Sequence, residues 1–211
     1  MQRVLIVGAG GHAQVVADIL LLLAASGDWI PVGYLDDNPE LRDRSLLGLP
    51  VLGPLYERSA FPHDALVIAV GRNDLRQRLY GMLRAEGAHF ATLVHPRATI
   101  AHDVVIGPGS VICAGAVIGP GARLGCNVII NTAATVDHHN RIGDFCHIAP
   151  GAHLGGDVQI GDGCLVGLGA LIMPQRSVGA WSIVGAGALV HRSLPSGVTA
   201  VGTPARVIRE H

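Results

Sequence analysis

Between positions 94 and 190, every sixth residue is valine, isoleucine or leucine, seventeen times in succession. A period of six matches neither the 3.6-residue turn of an α-helix nor the two-residue alternation of a β-strand. It is typical of a parallel β-helix, in which each hexapeptide forms one short strand and one turn. Glycine follows nine of the seventeen aliphatic residues, which suits a corner where a Cβ would clash or φ must be positive.

The repeat defines the predicted second domain, a β-helix over residues 91–211 that ends in a C-terminal tail. Each coil buries its aliphatic residues on the next coil, so several coils must stack before the domain is stable. The register is unbroken, so no long loop interrupts the prism. Any active site in this domain must therefore draw on its coil corners.

Composition narrows the class of function. The formal net charge of −1 gives no electrostatic case for binding nucleic acid or an anionic membrane. The longest apolar run, residues 19–25, is too short to span a bilayer, and the N-terminus does not resemble a signal peptide. The four cysteines lack the spacing of a zinc site, and Cys146 and Cys164 share one small inward repeat position. We interpret them as core residues of a reduced cytoplasmic protein.

Residues 1–90 lack the period of six and predict a small Rossmann-like α/β domain. The predicted elements are strands at 4–7, 32–35 and 65–70 and helices at about 14–25 and 74–86. The second helix carries a predicted apolar face of Leu75, Leu79, Met82 and Leu83. In open parallel sheets, ligands bind at the carboxyl ends of the strands.

A glycine-rich turn follows the first predicted strand. Gly8-x-Gly10-x-x-Ala13 matches the dinucleotide fingerprint, and Asp36 ends the second strand where a ribose-binding acid would lie. Three interpretations are open: an NAD site, a tight turn without a ligand, and a nucleotide-sugar site with phosphate at the helix N-terminus. The small size of the domain, about half a classical dinucleotide fold, weakens the NAD interpretation. We favour the third interpretation mainly because of what the second domain implies.

One group of histidines stands out in the repeat. Asp137-His138-His139 lies at a predicted corner, and His147 and His153 end their hexapeptides just before an inward aliphatic residue. We expect these side chains to project from the prism surface. A corner residue serves no packing purpose, so His138 is the strongest candidate for a chemical role.

Motifs along nearly the whole chain then point to one family. They are Gly8-Ala-Gly-Gly-His-Ala13, Gly33-Tyr-Leu-Asp-Asp37, Ala69-Val-Gly-Arg-Asn73, Asn131-Thr-x3-Val-Asp-His138, Ile142-Gly-Asp-Phe-Cys-His-Ile-Ala-Pro-Gly151 and Gly202-Thr-Pro-Ala-Arg206. The chain resembles the hexapeptide-repeat sugar acetyltransferases, which include bacillosamine-pathway UDP-amino-sugar N-acetyltransferases, perosamine N-acetyltransferases and sialic acid O-acetyltransferases. The central motifs are specific, whereas hexapeptides alone would indicate only a broad acyltransferase superfamily.

The resemblance implies a homotrimer of left-handed β-helices with acetyl-coenzyme A (acetyl-CoA) in the cleft between neighbouring prisms. It implies acetyl transfer to the amino group of a nucleotide-linked amino sugar in bacterial surface-glycan synthesis, without a metal. His138 matches the family's general base, and an imidazole titrates near the pH at which such a base works. We expect the backbone N–H of Gly155 or Gly156, one coil on, to stabilise the oxyanion.

The chain departs from the family pattern directly after the base. Family members often carry glutamate or aspartate there, to orient the histidine and raise its basicity, whereas this chain has His139. A neutral imidazole accepts a hydrogen bond but supplies no negative charge. We expect Asp137 or Asp144 to take the place of the missing acid.

Further site residues follow from the resemblance. The implied coenzyme contacts are His147 and the backbone at Leu168 and Ala186. To these we add our own expectation of Gly156, one of the two candidate oxyanion donors. The implied nucleotide-sugar contacts are Gly10, Gly11, His12, Asp36, Asp37 and Gly71. Arg206 either reaches the phosphates of the coenzyme or is a solvated charge of the tail.

Three other functions compete with sugar N-acetylation. O-acetylation of a sialic acid or related sugar would use the same scaffold. A γ-type carbonic anhydrase is also a trimeric β-helix, and its zinc needs three histidines across an interface, for which this chain offers His138, His139, His147 and His153. An inactive scaffold protein is the last alternative. Stoichiometric zinc in the purified protein would contradict the transferase interpretation.

Overall fold

The first part of the chain alternates strands and helices, and the second consists mainly of two-residue strands. A computed structural model describes residues 1–25 and 27–211, which divide into the units Met1–Pro96 and Arg97–His211. The elements of the first unit are β1 (Gln2–Val7), α1 (Gly11–Ala24), β2 (Trp29–Leu35), β3 (Ser45–Leu46), β4 (Leu49–Gly53), β5 (Ala65–Ile68), α2 (Asn73–Ala85) and β6 (Leu93–Val94), with 3-10 helices at Pro39–Leu41 and Leu55–Ala60.

The first unit is built on a five-stranded sheet in the order β3-β4-β2-β1-β5. Strand β1 lies between β2 and β5 and pairs in parallel with both, as the buried aliphatic runs predict. The sequence analysis missed β3 and β4. The reason is local, since β4 contains Pro50 and ends at Gly53, residue types that weaken a strand pattern.

The buried face of α2 differs from the predicted one. Its buried residues are Arg76, Tyr80 and Leu83, whereas Met82 is 45% exposed. Leu79, Met82 and Leu83 do lie on one side of α2, where they line a common cleft, but of the predicted residues only Leu83 is fully buried. The buried stripe is shifted toward Arg76 because its guanidinium finds hydrogen-bond acceptors within the fold. In the described part of the chain, neither helix combines the length and apolarity that crossing a bilayer requires.

The second unit places a two-residue strand at every sixth residue. These strands are β7 (Thr99–Ile100), β8 (Val105–Ile106), β9 (Val111–Ile112), β10 (Val117–Ile118), β11 (Arg123–Leu124), β12 (Ile129–Ile130), β13 (Thr135–Val136), β14 (Arg141–Ile142), β15 (His147–Ile148), β16 (His153–Leu154), β17 (Gln159–Ile160), β18 (Leu165–Val166), β19 (Leu171–Ile172), β20 (Ser177–Val178), β21 (Ile183–Val184) and β22 (Leu189–Val190). Two longer strands follow, β23 (Val198–Val201) and β24 (Arg206–Glu210).

Each short strand pairs in parallel with the strand eighteen residues later, so three hexapeptides make one coil. Face A holds β7, β10, β13, β16, β19 and β22; face B holds β8, β11, β14, β17 and β20; face C holds β9, β12, β15, β18, β21 and β23. The aliphatic residue of each hexapeptide points inward, as at Ile118, which is 1% exposed beside Val117 at 43%. The predicted parallel β-helix is confirmed, and β24 returns antiparallel to β23 in place of an irregular tail.

The corners explain why the repeat is rich in glycine. The fourth residue of every hexapeptide from 109 to 187 has a φ between +50° and +75°, and half of these residues are glycine. Glycine at the second position has a different cause, because a Cβ on Gly161 would lie 2.5 Å from the backbone nitrogen of Ala180 in the next coil. Of the two reasons given for the glycines after the aliphatic residue, only the steric one applies to them, because positive φ belongs to the fourth position.

Three cysteines fill the prism interior. Cys113, Cys146 and Cys164 are fully buried free thiols, as expected of core residues in a reduced protein. Burial raises the pKa of Cys113 to about 12, so this thiol stays protonated and unreactive at neutral pH.

Gly161→Ala tests the close approach of the coils. We expect a loss of about 1–3 kcal/mol of stability, since the added methyl overpacks against backbone that cannot move aside. Gly151→Asn is the matched control, because Gly151 has a φ of +65°, which asparagine tolerates, and a Cβ there meets nothing within 4 Å. Melting temperatures at one protein concentration check both, and equal losses would contradict the packing explanation.

Candidate functional site

Open glycines mark the carboxyl ends of β1 and β5. Gly10 and Gly11 lead from β1 into α1, and Gly71 follows β5. A Cβ on any of the three would meet nothing within 4 Å, and none of the three has a positive φ. Neither packing nor backbone conformation requires glycine here, so its effect is to leave the backbone open to a bound group.

Asp36 and Asp37 follow β2 at the same edge of the sheet. The Asp36 carboxylate accepts hydrogen bonds from the Ala9 N–H (2.7 Å) and the Asn38 N–H (2.9 Å), and the Asp37 carboxylate accepts one from the Leu55 N–H (2.9 Å). Both side chains therefore brace the turns around them. Each carboxylate keeps further lone pairs for a ligand.

A cleft of about 700 Å³ opens beside these two aspartates. Apolar and aromatic side chains line much of it, namely Leu55, Tyr56, Leu79, Met82 and Leu83. The sequence analysis missed this set. The sequence signal for it was Tyr56, an aromatic residue two positions after Pro54 in a turn segment. In the structure its side chain is 79% exposed. Met82 is exposed because it faces this opening and not the core.

Two titratable groups lie near these turns, the half-buried His12 and the buried Arg76. Burial, with a smaller contribution from the Arg76 guanidinium, lowers the pKa of His12 to about 4, so its imidazole is neutral at pH 7. Arg76 is 1% exposed and donates to the Val70 carbonyl (2.9 Å) and to Asn73 Oδ1 (2.9 Å). It therefore fixes the turn that carries Gly71.

A second cluster lies on the prism, at the corner between faces A and B, called here the AB corner (residues 101–104, 119–122, 137–140, 155–158 and 173–176). His138 and His139 are exposed there, as predicted. Their Nδ1 atoms are 3.0 Å apart, so one ring donates and the other accepts. The Asp137 carboxylate accepts the backbone N–H of His138 (2.7 Å).

Each imidazole is seated on a glycine of a neighbouring coil. A Cβ on Gly156 would overlap the His138 ring, and a Cβ on Gly121 would come within 2.7 Å of the His139 Cδ2. Gly155 already donates its N–H to the Ile172 carbonyl (2.9 Å), whereas in the described structure Gly156 N–H has no recorded acceptor. Of the two expected oxyanion donors, only Gly156 has its N–H available.

Asn140 holds this corner together and was not foreseen. Its side chain is fully buried and donates to the Asp137 carbonyl (2.7 Å) and to the Gly155 carbonyl (2.9 Å) in the next coil. The sequence carried a signal for it, since Asn140 stands at the fifth hexapeptide position, which is mostly small. Its amide therefore links Asp137, which precedes His138, to Gly155, which precedes the glycine that contacts the His138 ring.

The acids near the histidines differ from those expected. Asp144 lies at another corner, between faces B and C, where it accepts the Cys126 N–H (2.8 Å), so it is not the acid beside His138. Asp157 was missed, although it follows His139 by one coil of eighteen residues. One carboxylate oxygen of Asp157 and one ring nitrogen from each of His138 and His139 lie within 4.8 Å of one another. Among the described residues this group could also hold a metal ion, and it differs from the three-histidine set of a carbonic anhydrase.

The expected coenzyme contacts lie elsewhere on the prism. Leu168 and Ala186 are exposed at the corner between faces C and A, called here the CA corner (residues 113–116, 131–134, 149–152, 167–170 and 185–188). His147 begins β15 on face C, and its Nε2 is 3.0 Å from the Asn131 amide nitrogen at the CA corner. Arg206 begins β24 and is exposed. One prism therefore carries His138 and these residues on different corners.

Comparison with known proteins decides the family. The PglD N-terminal domain model matches residues 3–83, and the bacterial transferase hexapeptide model (six repeats) matches residues 89–120 and 141–172. The acetyltransferase domain of PglB from Neisseria gonorrhoeae FA1090 is 37% identical, with a TM-score of 0.90, over 99% of this chain and 100% of that one. The chain belongs to the hexapeptide-repeat sugar acetyltransferases.

Two further members of these sugar acetyltransferases are similar. PerB from Caulobacter crescentus, solved in complex with CoA and GDP-perosamine, is 36% identical with a TM-score of 0.90, over 99% of this chain and 98% of that one. UDP-N-acetylbacillosamine N-acetyltransferase of Bacillus subtilis (strain 168) is 42% identical over 113 residues, so the match spans about half of each chain, 53% of this one and 51% of that one. The resemblance drawn from the motifs is confirmed.

His12 makes the stability of this sugar acetyltransferase depend on pH. Its folded pKa of about 4 lies below the unfolded value of 6.5, so the unfolded chain binds more protons in that window and stability falls as the pH drops through it. From pH 7 to pH 5 the loss is on the order of 2 kcal/mol. We expect His12→Gln to show a smaller fall in melting temperature between these pH values, and an equal fall in both proteins would contradict this assignment.

Proposed function

We propose that the protein transfers an acetyl group from acetyl-CoA to the amino group of a nucleotide-linked amino sugar, in bacterial surface-glycan synthesis. The observation that carries the proposal is the AB corner, where the exposed His138 imidazole rests on Gly156, in a chain whose relatives are N-acetyltransferases. The acetyl donor and the sugar follow those relatives, since PerB was solved with CoA and GDP-perosamine and the PglB domain with acetyl coenzyme A.

His138 acts in this proposal as the general base. The sugar nitrogen attacks the thioester carbonyl carbon, a C–N bond forms, and the imidazole takes the proton that the nitrogen loses. The Gly156 N–H donates to the oxyanion of the tetrahedral intermediate. When the C–S bond breaks, the electron pair leaves with the coenzyme sulfur, which receives the proton from His138.

We further propose that the active protein is a homotrimer of left-handed β-helices with its sites between subunits. The base stands at the AB corner, whereas His147, Leu168 and Ala186 gather around the CA corner of the same prism. A cleft between two neighbouring prisms would bring one corner of each type together. Acetyl-CoA would lie in that cleft, covering the 60% exposed side chain of Leu168, and Arg206 would reach its phosphates.

The first unit would bind the nucleotide part of the acceptor. In this proposal Gly10, Gly11 and Gly71 let the backbone approach the phosphates, His12 contributes a neutral imidazole, and Asp36 and Asp37 accept from the base or ribose. The apolar lining of the cleft beside the aspartates suits a flat base. We place the reaction in the cytoplasm, where acetyl-CoA is available and thiols stay reduced.

Removing the base tests the reaction. We expect His138→Ala to lower the rate of thiol release from acetyl-CoA by about 100-fold or more, because general base catalysis contributes at least that much. The assay uses a panel of UDP- and GDP-linked 4-amino sugars and sialic acids, with the product identified by mass.

His102→Ala is the matched control, since His102 is an exposed histidine at the same hexapeptide position two coils before His138. It should keep the wild-type rate, and both variants should keep the wild-type oligomeric state. Full activity of His138→Ala would overturn the assignment of the base. Transfer to sialic acid hydroxyls alone would overturn the amino-sugar acceptor.

Gly11→Ala tests the open backbone after β1. A Cβ there meets nothing within 4 Å, so the fold should tolerate it, but it would occupy the space proposed for a phosphate. We expect the KM for the nucleotide sugar to rise about tenfold or more, the effect of losing one hydrogen bond to a charged group. Gly81→Ala in the middle of α2, where a Cβ also meets nothing, should leave this KM unchanged, and an unchanged KM in Gly11→Ala would contradict the proposed contact.

A further inference from the structure

We propose that Asp157 is a positioning residue that supplies, through the His138–His139 pair, the negative charge that the family usually places directly after its base. This inference rests on the proposed function, in which His138 accepts a proton. The role would belong to a carboxylate from the next coil and not to a residue adjacent in the chain.

Coil stacking brings Asp157 to the histidines. His139 and Asp157 both occupy the fourth hexapeptide position, eighteen residues apart, with φ values of +58° and +57°. The Asp157 N–H donates to the His138 carbonyl (2.9 Å), which ties its backbone to the base. With a carboxylate oxygen within 4.8 Å of ring nitrogens of both histidines, its charge acts directly on the pair.

The contact between the rings determines how the pair can work. With the Nδ1 atoms 3.0 Å apart, a His138 that donates from Nδ1 keeps the lone pair of its Nε2 for the substrate, while His139 accepts. When Nε2 takes the proton, the positive charge resides on the His138 imidazolium. His139 is neutral and fixes the ring, whereas the Asp157 carboxylate stabilises the charge without itself receiving a proton.

The other charged groups around the two histidines either hold a hydrogen bond to the backbone or lie further away. The Asp137 carboxylate accepts the backbone N–H of His138 (2.7 Å), and the Asp103 carboxylate accepts the Gly121 N–H (2.9 Å) one coil below His139. Arg176 lies two coils beyond Asn140, and its guanidinium donates to the Gln175 carbonyl (3.3 Å). Of the carboxylates at this corner, Asp157 is the one that lies beside the rings. In the described structure its carboxylate accepts no hydrogen bond from a backbone N–H.

Asp157→Asn tests the role, since asparagine keeps the size and tolerates the positive φ. We expect kcat/KM to fall about 10- to 100-fold, by analogy with the carboxylates that orient metal-bound histidines. The acidic limb of the pH profile should move to lower pH, because a base without a nearby negative charge holds its proton less tightly. The KM for acetyl-CoA should not change, and Asp162→Asn, which removes an exposed carboxylate from another corner, should keep both the rate and the profile.

A second variant separates charge from folding. His139→Glu restores an acid directly after His138, so Asp157→Asn should lower kcat/KM less than twofold in that background, by the logic of a double-mutant cycle. A loss of the same size in both backgrounds, or an unshifted pH profile, would overturn the proposal. Activity that a chelator removes and zinc restores would overturn it in favour of a metal held by the three residues.

Failure of this inference and failure of the proposed function give different experimental results. If the wild type transfers no acetyl group to any amino sugar, the proposed function is wrong. If the wild type is active and His138→Ala is inactive while Asp157→Asn behaves as wild type, only the inference about Asp157 is wrong.

Discussion

The rest of the second unit depends on the backbone hydrogen bonds that join each coil to the coil eighteen residues later. Residues such as Val117, Thr135 and His153 stack in register because their strands pair in parallel along one face. This spacing decides which residues meet, since positions far apart in the chain but eighteen residues apart in register become neighbours. It also explains the second-position glycines, because the coils approach too closely for a Cβ at those sites.

The same stacking places the histidine cluster at a corner. Each two-residue strand turns one side chain into the core and the other outward, as the buried Ile142 and the exposed Arg141 show, whereas His138 and His139 lie on a turn. At the AB corner, two coils supply the imidazoles with a surface of glycine, and the buried Asn140 locks the turn beneath them. The His138 imidazole is thus held by neighbours above and below, which gives an exposed side chain a fixed position.

Much of this was predictable, and the failures have physical causes. The aliphatic period predicts the β-helix, and the position of His138 within its hexapeptide predicts that it lies at a corner. Asp157 was not predicted because Asp137 and Asp144 are nearer to His138 in the sequence. In the fold, coil stacking brings together residues that are eighteen positions apart. In the first unit, Arg76 contradicted the apolar pattern of α2 because its guanidinium finds carbonyl and amide acceptors inside the fold.

The proposed base and the proposed coenzyme contacts lie on different corners of one prism, and we propose that they meet between copies of the chain. Mixed oligomers test it directly: His138→Ala and Leu168→Glu chains, each inactive alone, are co-expressed and assayed for acetyl transfer. If each site uses one AB corner and one CA corner from different subunits, random mixing should restore about a quarter of the wild-type activity. No recovery in mixed oligomers would show that each site lies within a single chain.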